Sequence, residues 1–276
     1  MNPNGSNKWD LDTPALVLDL DVLEANIAYM ARFMAGASAN LRPHAKTHKC
    51  AEIARRQLAA GAVGITCAKL GEAEALAHVA PDILIANQIV GPTKISRLVK
   101  LRRQTDVMVA VDNPENVDAL SQAAVAAGVT LRLLVEVDVG MGRCGVSTAE
   151  EALALARRVD AAPGLVFTGL QGYEGHTVMA PDFEQRKAAA EKAMAHLTSV
   201  RRFIEDSGLP VSIVSGGGTG TYNITGNYPG VDEVQAGSYV TMDARYSGIV
   251  PEFKPAMTVL ATVISKPTSE RVIIDA

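Results

Sequence analysis

A chain of 276 residues, 48% hydrophobic and 20% charged, has the size and composition of one large soluble α/β domain, or of a barrel with part of a second unit. Its formal net charge of −4 with no basic block argues against nucleic acid as a partner, and no apolar run reaches the roughly 20 residues of a membrane span. The polar start MNPNGSNKWD lacks a signal-peptide core, and Cys50, Cys67 and Cys144, odd in number and far apart, read as reduced thiols of a cytoplasmic protein.

Met1–Asp12 reads as a loose tail and Thr13–Leu20 as a strand. Asp21 and Glu24 give a capping-box-like start to a helix with Val22, Leu23, Ile27, Met30 and Phe33 on one stripe. Leu41–Ala45 is strand-like, so Arg42, His44 and Lys46 are expected on one face, a cationic triplet that is costly to bury unless something anionic lies opposite. A helix over Ala51–Ala60 closes at Gly61.

The alternation continues. Strands are expected at Ala62–Cys67, Asp82–Ala86, Val107–Val111, Leu131–Val137, Val166–Gln171, Val211–Val214 and Asp232–Ala236. Helices are expected between them at Glu72–Val79, Pro92–Arg103, Glu115–Ala127 behind Pro114, from a Ser147/Glu150 cap to about Val159, and from about Asp182 to Asp206. Nine strands alternating with helices predict parallel strands with right-handed crossovers. Eight close a TIM (β/α)8 barrel, leaving Leu16–Leu20 as the outsider; a doubly wound open sheet is the alternative. After Val240, Met257–Ser265 and Arg271–Asp275 read as two strands joined by a turn at Lys266–Glu270. The expected organisation is an N-terminal strand and helix over 1–39, the strand pairing with a β-domain, then a cofactor-binding barrel over 40–240. Residues 241–276 read as the start of a C-terminal β-domain whose remainder lies outside the chain.

Glycine-rich and polar clusters follow the barrel strands. Lys46 follows the first, DVGMGRCG the fifth, GYEGH the sixth, SGGGTG the seventh and GSY the eighth. Barrel active sites are built at these ends, with phosphate usually at the last two. SGGGTG offers backbone N–H groups free of Cβ obstruction, which suits a phosphate nest, although a flexible glycine loop reads the same way by motif alone. A phosphate site facing a lysine suggests pyridoxal 5'-phosphate. That lysine must be neutral to react with an aldehyde, and Arg42, His44 or Arg143 nearby would lower its pKa. Lys49 reads as surface, Glu136 and Asp138 as buffers of interior cations on one face, and His78 and His196 as structural; His176 is left between loop residue and acid or base. No complete metal-ligand cluster is read in this chain.

RPHAKTHK, VEVDVGMGRCG, GLQGYEGH, VSGGGTGTY and VQAGSYVTMD together resemble fold-type III pyridoxal-phosphate enzymes, within them the D-threonine aldolase and D-serine dehydratase branch related to the alanine racemase N-terminal domain. The resemblance runs from about Thr13 to Ala276. It implies Lys46 as the lysine that carries the cofactor, Arg143 near its phenolic oxygen and Tyr173 where the racemases place a ring-stacking His. Ser215, Gly217, Gly218 and Thr219 with Gly237, Ser238 and Tyr239 would form the phosphate cup. Gln235 falls where racemases have an Arg facing the pyridine nitrogen, and an uncharged residue there would leave that nitrogen unprotonated. Lys46, His44 and Arg143 are the expected catalytic residues.

The implied activity is retro-aldol cleavage of a D-β-hydroxy-α-amino acid, such as D-threonine or 3-hydroxy-D-aspartate, to glycine and an aldehyde. The alternatives are D-serine-type dehydration and a non-catalytic pyridoxal-phosphate protein. The resemblance also implies a homodimer, and a divalent metal of Mn or Mg type whose ligands lie outside this chain.

Overall fold

The computed structural model describes Gly5 and residues 7–276, so the expected tail over Met1–Asp12 lies partly outside the described residues; Lys8–Asp10 within it forms a 3-10 turn. Strand β1 (Ala15–Leu18) leads into helix α1 (Leu20–Met34). The barrel then runs β2 (Asn40–Leu41), α2 (Ala51–Ala59), β3 (Ile65–Cys67), α3 (Leu70–Leu76), β4 (Asp82–Gln88), α4 (Pro92–Leu101), β5 (Asp106–Val111) and α5 (Pro114–Ala127). It continues with β6 (Leu131–Glu136), α6 (Ala149–Ala161), β7 (Leu165–Gly172), α7 (Phe183–Asp206), β8 (Ile213–Gly216), α8 (Tyr222–Thr225) and β9 (Glu233–Val234).

These eight parallel strands stand in the order β2-β9-β8-β7-β6-β5-β4-β3. The gap between the two ends is bridged by a parallel pairing of His44 with Thr66 and by the Val63 N–H donating to Leu41 O at 2.9 Å. The barrel expectation holds, with Leu16–Leu20 correctly left outside: β1 pairs antiparallel with β10 (Met257–Leu260), Ala15 opposite Leu260 and Leu18 opposite Met257.

Both faces of the barrel strands are buried, which is why β5 reads as a nearly continuous apolar run. Leu84, Met108 and Leu134 fill the interior as one small cluster. Ile83, Ile85, Val107, Val109, Leu133 and Val135 point outward into the larger core under the helices. One residue breaks the phase: Leu133 faces Phe167 but Leu134 faces Gly169, so Thr168 is extra. Gly169 has φ +156, and a Cβ there would lie 1.9 Å from Ile213 O. Beyond this bulge Gln171 comes opposite Glu136.

Several local expectations are displaced. The first helix is capped by Asp19, whose carboxylate accepts from Val22 N, rather than by Asp21 with Glu24. The α6 capping box is Thr148 with Glu151, one residue past Ser147/Glu150, because Val146 is held in a parallel bridge to Val137. Met257–Ser265 is two strands: β10 ends at Leu260, and β11 (Val263–Thr268) pairs instead with β12 (Arg271–Ile274).

The expected strand Leu41–Ala45 stops at Leu41, and Ala45–Thr47 is a 3-10 turn carrying Lys46. The cationic triplet is therefore split. Arg42 is buried toward the opposite, N-terminal end of the strands, donating to Glu233 at 2.7 and 2.8 Å and to Asp82 at 2.9 Å. Asp82 and Glu233 open their own strands, so the anionic partner expected for the triplet serves Arg42 at the barrel floor.

Candidate active site

At the C-terminal ends of the strands a cavity of about 230 Å³ is lined by His44, Lys46, Arg143, Tyr173, Gly217, Gly218, Thr219, Gln235, Gly237 and Ser238. These come from five separate βα connections. Ala68, Ala86, Asn87, Gln171 and Tyr246 complete the wall; of these only Gln171, within GLQGYEGH, lies in a motif, and the motif gave it no role. Ser215 and Tyr239 do not line it. Ser215 is buried beneath, accepting from Gln235 Nε2 at 2.9 Å. The Tyr239 ring packs against Phe253 and its hydroxyl accepts from Gln57 at 2.9 Å; only its backbone N–H reaches the loop, donating to Thr219 Oγ1 at 3.1 Å.

Tyr173 is the organising side chain. Lys46 Nζ and Arg143 Cζ each lie 5.6 Å from its ring centroid, within cation–π range. The ring packs where two glycines leave room: a Cβ on Gly175 would sit 2.5 Å from Tyr173 Cε1, and one on Gly218 would sit 3.3 Å from Tyr173 Cε2. Burial raises the Tyr173 pKa, so its hydroxyl stays neutral. The amine of Lys46 and the turn at Gly218 thus border the same ring.

Partial burial and then the Arg143 guanidinium lower the Lys46 pKa, against an opposing pull from Glu72. Of the three groups expected to do this, Arg143 acts, Arg42 is committed at the barrel floor, and His44 is uncharged. Burial and Lys46 push His44 down to about 3. Its Nδ1 accepts from the Lys46 N–H at 3.4 Å, so His44 shapes the turn that carries the lysine. Lys49 stays exposed with φ +49, its ammonium donating to Lys46 O at 2.6 Å.

Glu174 holds the SGGGTG turn from behind. Fully buried, it accepts from the Gly217 N–H at 3.1 Å, Thr221 Oγ1 at 2.6 Å and Thr225 Oγ1 at 2.7 Å. Gly218 N–H donates to Thr221 Oγ1 at 3.3 Å. Two amides expected to face an anion are therefore used internally. Among the hydrogen bonds of the described residues, the N–H groups of Thr219 and Ser238 have no acceptor, and both residues line the cavity. Asp138, expected to buffer interior cations beside Glu136, is used by its own loop. Its carboxylate accepts from the N–H groups of Gly140 and Gly142 and folds the loop that carries Arg143.

A lysine with a lowered pKa, an aromatic flank, and free amides on a glycine turn fit pyridoxal 5'-phosphate, with Lys46 at its aldehyde and Thr219 and Ser238 at its phosphate. The implied divalent metal finds no such fit: among the described residues no three His, Cys, Asp or Glu side chains gather as a metal would need.

The profile of the alanine racemase N-terminal domain matches residues 18–245. The chain belongs to that family. It is 44% identical over 273 residues to a D-threonine aldolase of Arthrobacter sp, covering 96% of this chain and 72% of that protein. It is 37% identical over 284 residues to a 3-hydroxy-D-aspartate aldolase of Paracoccus denitrificans (strain Pd 1222), covering 99% of this chain and 73% of the relative. The crystal structure of D-threonine aldolase from Filomicrobium marinum superposes with a TM-score of 0.93 at 41% identity, over 97% of this chain and 74% of that one.

Proposed function

We propose that this family member is a pyridoxal-phosphate-dependent lyase that cleaves a D-β-hydroxy-α-amino acid of the D-threonine or 3-hydroxy-D-aspartate type to glycine and an aldehyde. The observation that carries this reading is the facing of Lys46 and the Gly217–Thr219 turn across one cavity, in a chain similar throughout to aldolases. The cofactor, when bound, supplies an electron-withdrawing ring that accepts the pair left when the Cα–Cβ bond breaks.

The residues divide the remaining work. Lys46, its pKa lowered by burial and Arg143, is the amine that exchanges with the substrate amine. Tyr173 and Gly218 hold the ring plane, and Thr219 and Ser238 donate to the phosphate. Arg143 remains half exposed at the mouth, free to donate to the cofactor's phenolic oxygen. His44 keeps the Lys46 turn in place, and Gln235 meets the ring from the floor.

In the same reading residues 40–240 are the cofactor-binding barrel, and residues 1–39 and 241–276 contribute the strands of a β-rich unit, which the β1–β10 pairing supports. The free Cys50, Cys67 and Cys144 suit the cytoplasm. No helix among the described residues is long and apolar enough to cross a membrane. A homodimer is part of the reading and is checked by light scattering.

Incubation of the holoprotein with D-threonine tests the reaction class. Glycine and acetaldehyde in equal amounts are expected. A keto acid with ammonia would assign elimination instead, and no turnover of any D-β-hydroxy amino acid would contradict the enzyme reading.

A further inference from the structure

Beneath the cavity, four buried polar side chains form one continuous chain. Glu136, ending β6, accepts from Gln171 Nε2 on β7. Gln171 Oε1 accepts from Gln235 Nε2 at 3.0 Å, and the same Nε2 donates to Ser215 Oγ at 2.9 Å.

The polarity of this chain follows from its end. An ionised carboxylate only accepts, so Gln171 must turn its NH2 to Glu136 and its oxygen to Gln235. Gln235 must then turn its NH2 to Gln171 and Ser215. Its own oxygen has no donor among the described residues, and Gln235 lines the cavity. The oxygen and nitrogen of each amide are thereby assigned by the carboxylate.

The ring nitrogen of pyridoxal phosphate lies para to its aldehyde. With the aldehyde at Lys46 and the phosphate at Thr219 and Ser238, that nitrogen is the remaining polar atom to be met from the floor. Gln171 and Gln235 are the buried amides lining the cavity there.

We propose that Glu136, acting through Gln171, is a positioning residue that makes Gln235 present a hydrogen-bond acceptor to the cofactor, so that the ring nitrogen is held protonated. This rests on the cofactor reading above. A neutral amide alone carries no such preference. A buried carboxylate two amides away supplies the missing bias, both by fixing the amides and by polarising them in a low dielectric. The groups facing Glu136 are Arg143 at 3.9 Å, the Cys144 thiol at 3.9 Å, Asp112 and Gln171. Burial raises Glu136 to about 7, with Gln171 and Arg143 opposing, so the carboxylate is ionised at pH values well above that.

The test is nitrogen-15 NMR of the holoprotein carrying cofactor labelled at the ring nitrogen, without substrate, at a pH well above 7. The wild-type resonance is expected in the protonated range. In Glu136→Gln, which removes the charge and frees both amides to turn over, it is expected to move toward the free-base range. Gln171→Met, which interrupts the relay and leaves the carboxylate, serves as the same test where circular dichroism shows that Glu136→Gln fails to fold. A free-base resonance in the wild type overturns the proposal, as does a folded variant that matches a protonated wild type. Wild-type protein that does not attach the cofactor at Lys46 would instead refute the cofactor reading.

Discussion

Two glycines decide how closely the mouth of the barrel closes on its site. A Cβ on Gly237 would lie 2.5 Å from the His44 carbonyl oxygen and 2.9 Å from His44 Cβ, both on the turn that carries Lys46. A Cβ on Gly218 would meet only the edge of the Tyr173 ring at 3.3 Å. Gly237→Ala is therefore expected to cost about 1–3 kcal/mol, and Gly218→Ala distinctly less, since backbone yields less readily than a ring edge. Urea midpoints of the two variants check this, and equal losses would contradict it. Lys46, Arg143, Tyr173 and the glycine turns were legible in the sequence because each is a chemically distinctive residue just after a strand. Tyr239 and Ser215 were grouped with the cavity because a motif does not distinguish a side chain from its backbone. Gln171 and Glu174 sit inside recognised motifs, but their work became visible only with partners on other strands, Gln235 and Thr225.

At the scale of elements, the alternation of apolar runs and capped helices announces parallel strands with helical crossovers, since that pattern is local; closure into a barrel rather than an open sheet is not a local property. Features set by distant pairing were not legible. Strands β2 and β9 fall where Leu41–Ala45 and Asp232–Ala236 are expected, but they pair through only two residues each, and no local propensity marks where such short elements stop. The split of Met257–Ser265 is likewise decided elsewhere: β10 pairs with β1 near the other end of the chain, whereas β11 turns back on β12. Arg42 joins these scales by tying the opening residue of β9 to that of β4 across the barrel floor. Arg42→Met leaves the buried Glu233 carboxylate without its partner, and a loss of about 3–5 kcal/mol is expected in urea unfolding. Arg56→Met, which removes half-exposed ion pairs with Glu24 and Glu52, is expected to move the urea midpoint far less. Similar losses for both would mean that Arg42 does not hold the floor together.

For the molecule as a whole, two buried groups, His44 and Glu136, and the partly buried His48 set how stability follows pH. His44 and His48 are pushed from an ordinary 6.5 to about 3 and about 4, chiefly by burial, so the native state keeps them neutral while the unfolded chain takes up two protons. Glu136 is raised from 4.5 to about 7, so the native state holds one proton there that the unfolded chain releases. Between about pH 6 and pH 5 the unfolded state binds roughly one proton more, and stability should fall on acidification by on the order of 1.4 kcal/mol per pH unit. Urea midpoints at several pH values measure this, and Glu136→Gln should steepen the fall because its opposing contribution is gone. A stability independent of pH across that interval would contradict the burial of these groups. The chemistry of the whole molecule depends on one placement above all, a reactive amine facing a phosphate grip across a single cavity. Borohydride reduction of the protein with pyridoxal 5'-phosphate, followed by peptide mass spectrometry, tests it most directly. The account predicts the phosphopyridoxyl mass on Lys46 and its loss in Lys46→Ala; a label on Lys49 or on other lysines with Lys46 unmodified would contradict it.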